Sequence, residues 1–148
     1  MKKKSSTIIS NKKAKYNYEI LDTFEAGIAL QGTEVKSLKE HSGSLQESYI
    51  TNKKGELWLI NSSIPPYSHG NLYNHEEKRD RKLLMHRSQI QKLSKEIQEK
   101  GIALIALSLY VKNGIIKLQI ALAKGKKIYD KRKKIEEKEI KKSLKDLY

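Results

Sequence analysis

The chain has 148 residues, enough for one domain with a single sizeable core. It contains no cysteine, which excludes disulfides, thiolate metal sites and a cysteine nucleophile, and fits a reducing, cytoplasmic setting. Its net charge of +14 is unevenly placed: residues 1–15 hold six lysines and no acid, residues 16–123 hold fourteen Lys/Arg against twelve Asp/Glu, and residues 124–148 hold eleven against five. A near-neutral body with two cationic ends is the footprint of a polyanion binder, whereas lysines kept only for solubility would not need this partition.

In chain order, residues 1–10 are polar and are expected to be a disordered arm. Met1-Lys2-Lys3-Lys4 is followed by too little apolar sequence for a signal peptide. Tyr16, Tyr18 and Ile20 alternate with polar neighbours, a half-buried strand signal. Phe24–Leu30 reads as a second strand, in which Gly27 marks a bulge or a close approach. A short helix follows, with Thr33 as its cap, Val35 and Leu38 on one face, and Gly43 at its end. Strands resume at Tyr49–Asn52 and Leu57–Ile60, joined by a turn at Lys53-Lys54-Gly55-Glu56. Asn61–Asn74, with Pro65-Pro66 and Gly70, is loop.

Ser88–Lys100 is the clearest helix: Ser88 and Gln91 suggest a capping box, Ile90, Leu93 and Ile97 form its stripe, and Gly101 follows the last turn. Ile102–Val111 and Ile115–Ala123 flank Lys112-Asn113-Gly114, whose Asn-Gly pair specifies a type I′ hairpin. The run Ile102–Val111 is about half of what a membrane span requires, so a soluble protein with no membrane partner is expected. Beyond Ala123 the alternation dissolves into a lysine-rich tail, with Ile140, Leu144 and Leu147 at helical spacing. The expectation is a mainly β protein: an OB-like antiparallel barrel over 11–123, two or three helices, and a flexible basic tail over 124–148 that becomes helical on its partner.

The four histidines match no metal-ligand spacing, and no phosphate loop, nucleophile elbow or paired-carboxylate motif occurs, so neither metal, cofactor nor enzymatic activity is expected. Glu25, Glu34 and His41 could form an acid–base set, though nothing in their spacing requires it. Glu25 is either a surface charge or an acceptor for an exocyclic amine or 2′-hydroxyl. Asn11 is either a turn cap or a base-edge contact. Arg79 and Arg81 alternate onto one face, as a phosphate-contacting strip or as the charges guarding an edge strand. Tyr129 is the sole aromatic between Tyr110 and Tyr148, and among Lys126, Lys127, Lys131 and Arg132 it is placed to stack on a base.

Five motifs in register give these parts a common reading. Asn11-Lys12-Lys13-Ala14-Lys15-Tyr16, Phe24-Glu25-Ala26-Gly27, Gly32-Thr33-Glu34-Val35-Lys36-Ser37-Leu38, Arg81-Lys82-Leu83-Leu84, and Ala123-Lys124-Gly125-Lys126-Lys127 with Asp130-Lys131-Arg132 resemble the SsrA-binding protein (SmpB) family from about Asn11 to Ile140. The resemblance implies an OB-like barrel and a non-enzymatic adaptor of bacterial trans-translation. Such a protein binds the tRNA-like domain of tmRNA, acts as a monomer on that RNA, and escorts it to stalled ribosomes. There it stands in for the anticodon arm in the small-subunit decoding centre, with its tail in the empty mRNA channel.

Carried over by motif, Asn11, Lys12, Lys13, Lys15, Glu25, Lys36, Arg81 and Lys82 would contact tmRNA. Lys124, Gly125, Lys126, Lys127, Tyr129, Asp130, Lys131 and Arg132 would engage the ribosome. Lys12 and Lys15 stand where the family often has arginine, which replaces bidentate contacts by point charges. The alternative is a general single-stranded RNA-binding or ribosomal protein using the same barrel and arms. A competition assay separates the two, because a general binder would lose tmRNA to bulk RNA.

Overall fold

The computed structural model of the chain describes residues 5–69 and 74–125. Its elements are β1 (Ser5–Ser10), α1 (Ala14–Asn17), β2 (Tyr18–Ile28), α2 (Gly32–Lys39), β3 (Tyr49–Lys53), β4 (Glu56–Ile60), β5 (Arg81–Leu84), α3 (Arg87–Lys100), β6 (Ala103–Lys112) and β7 (Ile115–Gly125). The strands form one antiparallel seven-stranded sheet in the order β1-β6-β7-β2-β5-β4-β3. β3 approaches β6 across the curl of the sheet, but no ladder joins them among the described residues, so the sheet is open. The mainly β, antiparallel architecture with helices is as expected.

β7 is the strand against which the others are set. It alternates without interruption: Ile116, Leu118, Ile120 and Leu122 face the main core, while Lys117, Gln119, Ala121 and Ala123 face outward. Both its neighbours carry an extra residue. In β6, Ala106 pairs with Ile120 and Ser108 with Gln119, leaving Leu107 in a bulge. In β2, Ile20 pairs with Ala123 and Asp22 with Leu122, leaving Leu21 in a bulge. A bulge absorbs one residue, so the inward and outward sets exchange parity along the bulged strand while the ladder stays in register. Thus Leu104 and Ala106 point inward before the β6 bulge, and Leu109 after it. Unbroken alternation would have turned Ser108, Tyr110 and Lys112 into the core.

The core is aliphatic: Leu38, Leu45, Leu57, Leu59, Ile64, Leu83, Leu109, Leu118 and Ile120 are almost wholly buried. Each contributes roughly 1.5–3 kcal/mol by leaving water. A smaller outward cluster joins Ala14 of α1 to Ile105, Ala121 and Ala123, with the small residues on β7. α3 docks through Ile90 and Leu93 and ends at Gly101, whose φ of 62° is the left-handed stop the sequence predicts. The two tight turns are also as read: Lys54-Gly55 and Asn113-Gly114 all have positive φ and close two-residue hairpin loops.

Inside the curl lies a buried ionic network. Glu34 and Arg81 are both fully buried, and Arg81 Nε donates to Glu34 Oε2 at 2.5 Å. Arg81 also donates to the Ser62 carbonyl (3.1 Å) and hydroxyl (2.9 Å) and to the Glu77 carbonyl (3.1 Å). Arg79 Nη2 donates to Glu34 Oε1 at 2.6 Å, and the Gln31 N–H to the same oxygen at 2.7 Å. Burial penalises the Glu34 carboxylate, but the hydrogen bonds from Arg79 and the Gln31 amide and the charge of Arg81 outweigh it. Its carboxyl therefore titrates below the ordinary range.

Several expectations are corrected. Ser5–Ser10, expected to be disordered, forms edge strand β1 on β6. Ladder hydrogen bonds order it, with Ile8 and Ile9 as its only apolar anchors on the core, so composition gave little sign of it. Ala14–Asn17 is a single helical turn and the strand starts at Tyr18, running through Ile28 as one element. The capping box lies at Gln31/Glu34, before α2. Thr33 sits inside that helix, with its hydroxyl on His75 Nδ1 at 2.8 Å. α2 ends at Lys39, short of Gly43. α3 starts at Arg87 after His86, with no side-chain cap, and Ser88 is exposed.

Glu34→Ala would strand the Arg81 charge in the core. The expected loss is about 3–5 kcal/mol, against under about 1 kcal/mol for Asp80→Ala in the exposed Lys53–Asp80 pair. Because the folded Glu34 carboxyl is depressed, its contribution is complete above the unfolded carboxylate range and is lost as pH falls through the folded value. Urea unfolding of both variants at neutral and acidic pH checks this, and equal losses at neutral pH would refute it.

Candidate nucleic-acid interface

Downstream of the two bulges, the outer face of β6-β7-β2 becomes polar. Tyr110 pairs with Lys117, and Lys117 in turn with Gly27, while Gln119 pairs with both Ser108 and Glu25. Glu25 reaches across β7 to β6. Its Oε2 accepts the Tyr110 hydroxyl at 2.5 Å and Lys112 Nζ at 3.2 Å, and Oε1 meets Lys112 Nζ only at 3.5 Å. The Tyr110 hydrogen bond is the chief cause that holds the Glu25 carboxyl below its ordinary value; burial opposes it, and Lys112 and Lys117 help it. Burial, then the Glu25 hydrogen bond and charge, push the Tyr110 phenol far above its ordinary value. Both groups therefore keep their working forms at neutral pH, carboxylate and phenol.

Beside Glu25 opens a groove of about 500 Å³ lined by Gly27, Leu84, Met85, His86 and Lys117. Gly27 pairs with Leu84, and a Cβ at Gly27 would sit 3.0 Å from Leu84 Cβ. The glycine is thus a close approach, one of the two readings its position allowed. Leu84 is 53% exposed and gives the groove an apolar wall. Base faces suit such a wall, and backbone phosphates suit Lys117.

The sequence-predicted residues separate into distinct groups. Glu25 lies on this face. Asn11 lies three positions along β6 from Tyr110, at the bulge: its N–H donates to the Leu107 carbonyl (2.7 Å) and its Nδ2 to the carbonyls of Ala106 (3.0 Å) and Leu45 (3.3 Å). Its amide donors are therefore spent on holding the β6 bulge, and its Oδ1 is buried without a hydrogen-bond partner among the described residues. Lys12 and Lys13 are exposed in the turn before α1, and Lys15 lies within α1. Lys36, on α2, places Nζ 5.7 Å from the Tyr67 ring centre. Lys82 is surface-exposed and paired with Glu56 at 3.2 Å.

Arg81 is a correction. Arg79 and Arg81 do share a face, as alternation requires, but that face is the interior, where Glu34 and backbone carbonyls take their donors. Arg81 has no exposed surface for a phosphate. Nor do Glu25, Glu34 and His41 assemble: Glu34 is bonded to arginines, and His41 Nδ1 lies against the Ile8 carbonyl at 3.3 Å. Lys124 and Gly125 are exposed at the end of β7. Lys126, Lys127, Tyr129, Asp130, Lys131 and Arg132 lie outside the described residues. No group of three or more potential metal ligands and no helix long and apolar enough to cross a membrane occurs among the described residues.

Sequence reasoning missed Tyr110, Lys112, Lys117 and Leu84. The signal was present in Ser108, Tyr110 and Lys112 alternating with Leu109 and Val111, but the continuous apolar run ahead of them hid the change of parity.

Comparison with known proteins bears on this face and on the tail together. The model of the SmpB protein family matches residues 8–148. The chain belongs to the SmpB family. It is 54% identical over 144 residues to the SsrA-binding protein of Protochlamydia amoebophila, covering 97% of this chain and 94% of that one. It is 51% identical over 131 residues to the SsrA-binding protein of Chlamydia caviae, covering 88% and 87%. A solved structure described as "tmRNA-SmpB: a journey to the center of the bacterial ribosome" superposes with a TM-score of 0.67 at 41% identity, over 81% of this chain and 85% of that chain.

Asn11→Ala would take the side-chain donor from the Ala106 carbonyl at the bulge, while the Leu45 carbonyl keeps its bonds from Ser48. The expected cost is about 1–3 kcal/mol of stability, read as a lower urea midpoint with slowed exchange lost at the amides around Leu107. An unchanged midpoint would show that Asn11 does not hold the bulge.

Proposed function

We propose that this chain is a non-enzymatic RNA-binding adaptor of trans-translation. It binds the tRNA-like domain of tmRNA through the outer face of β2, β6 and β7, and delivers that RNA to stalled ribosomes in the cytoplasm. The curled sheet is read as an OB-like barrel whose last closure is incomplete. The basic segment after β7 is read as the part that engages the decoding centre and the vacant mRNA channel, with Tyr129 stacking on a base and Lys126, Lys127, Lys131 and Arg132 on phosphates.

One observation carries the reading: the family match extends through residue 148, so it embraces both the sheet that bears Glu25 and the cationic segment beyond it. The charge partition supports the same division, with the end segments holding nearly all of the net charge. Glu25 supports specificity on the sheet, since a fixed carboxylate accepts donors that lysines cannot.

The test separates the two parts. The chain ending at Gly125 keeps the whole of β7 and is expected to retain specific binding to the tRNA-like domain while losing tagging on ribosomes stalled without a stop codon. Loss of tmRNA binding on truncation, or tagging that survives it, contradicts the division.

A further inference from the structure

The Glu25 carboxylate is loaded unevenly. Oε2 takes both the Tyr110 hydroxyl at 2.5 Å and Lys112 Nζ at 3.2 Å, while Oε1 has only the marginal Lys112 contact at 3.5 Å. The carboxylate remains 38% exposed and lines the groove next to Leu84 and Lys117. Tyr110 is bound on the same outer face and is not part of the core. A carboxylate on a freely rotating side chain would spread its acceptor capacity over many directions and lose entropy on binding. Here one oxygen is pinned by a neutral donor and a cation, and the other is left as a fixed acceptor.

We propose that Tyr110 is a positioning residue for RNA recognition: its hydroxyl pins Glu25 Oε2 so that Oε1 faces the groove as a preorganised acceptor for one hydrogen-bond donor of the bound RNA. This rests on the reading of Glu25 as an RNA contact and adds to it the geometry of the contact and the chemistry of the donor. The donor is a ribose 2′-hydroxyl or an N–H of a base edge, exocyclic amine or ring imino, since a phosphate offers none. The arrangement also accounts for a carboxylate on a face that meets a polyanion. Lys112 and Lys117 offset its charge, and Tyr110 supplies a strong hydrogen bond without adding a further charge to the face.

Tyr110→Phe removes one oxygen at a half-exposed position and is expected to leave the thermal unfolding temperature near that of the parent. Binding of the tRNA-like domain of tmRNA should weaken about five- to tenfold, the scale of one lost hydrogen bond. In a Glu25→Ala background the same change should cost nothing, because the group it positions is gone. Independently of RNA, a carbon-detected NMR titration should find the Glu25 carboxyl moving up toward its ordinary range in Tyr110→Phe. The other charged or titratable groups around it, Lys112 on β6, Lys117 on β7 and His86 ahead of α3, are unchanged in that variant.

A 2′-fluoro version of the RNA distinguishes the two sources: if the penalty of Glu25→Gln disappears on it, the donor is the ribose hydroxyl, and if it persists, a base N–H. Tyr110→Phe that binds as the parent does while Glu25→Ala weakens binding overturns the positioning role, as does an equal Tyr110→Phe penalty in both backgrounds. If Glu25→Ala itself leaves binding unchanged, the reading of Glu25 fails, and the role of Tyr110 fails with it.

Discussion

The unbroken alternation of β7, held between two bulged neighbours, is the constraint on which the rest depends. Eleven residues of β7 present one apolar and one outward face without a slip, so β2 and β6 must match its parity over their whole length. Neither sequence does so unaided. Each discards one residue, Leu21 or Leu107, into a bulge, and the loss of ladder hydrogen bonds there is offset elsewhere. At the β6 bulge the compensation is visible, since Asn11 donates to the carbonyl of the bulged Leu107 through its backbone and to that of the preceding Ala106 through its side chain. Once the parity is set, Glu25, Tyr110, Lys112 and Lys117 meet on one face, and Ile120, Leu118 and Leu109 meet on the other. The polar outer chemistry and the core are two sides of the same register.

Charge in this protein is divided by what each cation touches. Arg81 is spent inside, clamped by Glu34 and three backbone or hydroxyl oxygens, and fixes the loop before β5 to α2. Lys82 and Lys53 are paired with carboxylates at the surface. The lysines before α1 and at the end of β7 are exposed, toward the same end of the sheet, since Tyr18 after α1 pairs with Gly125. Counting basic residues therefore overstates the RNA-binding surface of the body. In the proposed interface a single carboxylate, tied to a tyrosine, would add selectivity that another lysine would not, because cations attract every phosphate alike.

How much of this was legible in the sequence depended on whether the determinant was local. The hairpin at Asn113-Gly114 and the stop at Gly101 were readable, because each is the requirement of one residue's backbone, whereas Gly27 left a bulge and a close approach equally open. The family was readable because five motifs fell in order. Strand β1 was not, because its order comes from ladder bonds to β6, 95 or more residues away in sequence, and its side chains are mostly hydroxyls. The inward turn of Arg81 was not, because alternation fixes that Arg79 and Arg81 share a face but not which face. Only Glu34, brought from α2, decides it. The bulges were invisible for the same reason: a run such as Leu104–Leu109 has no polar residue before Ser108 to reveal where the period slips.

In the proposed mode of binding, the outer face of β2, β6 and β7, re-aimed by the two bulges, meets the tRNA-like domain of tmRNA. Backbone amide shifts of the isotope-labelled full chain, followed as that RNA is added, test it most directly. The account predicts the largest changes at Glu25, Gly27, Tyr110, Lys112 and Lys117, with Arg81 and Glu34 unmoved. Changes centred instead on the β3–β4 turn and the exposed side of α3, with the Glu25 face silent, would contradict it.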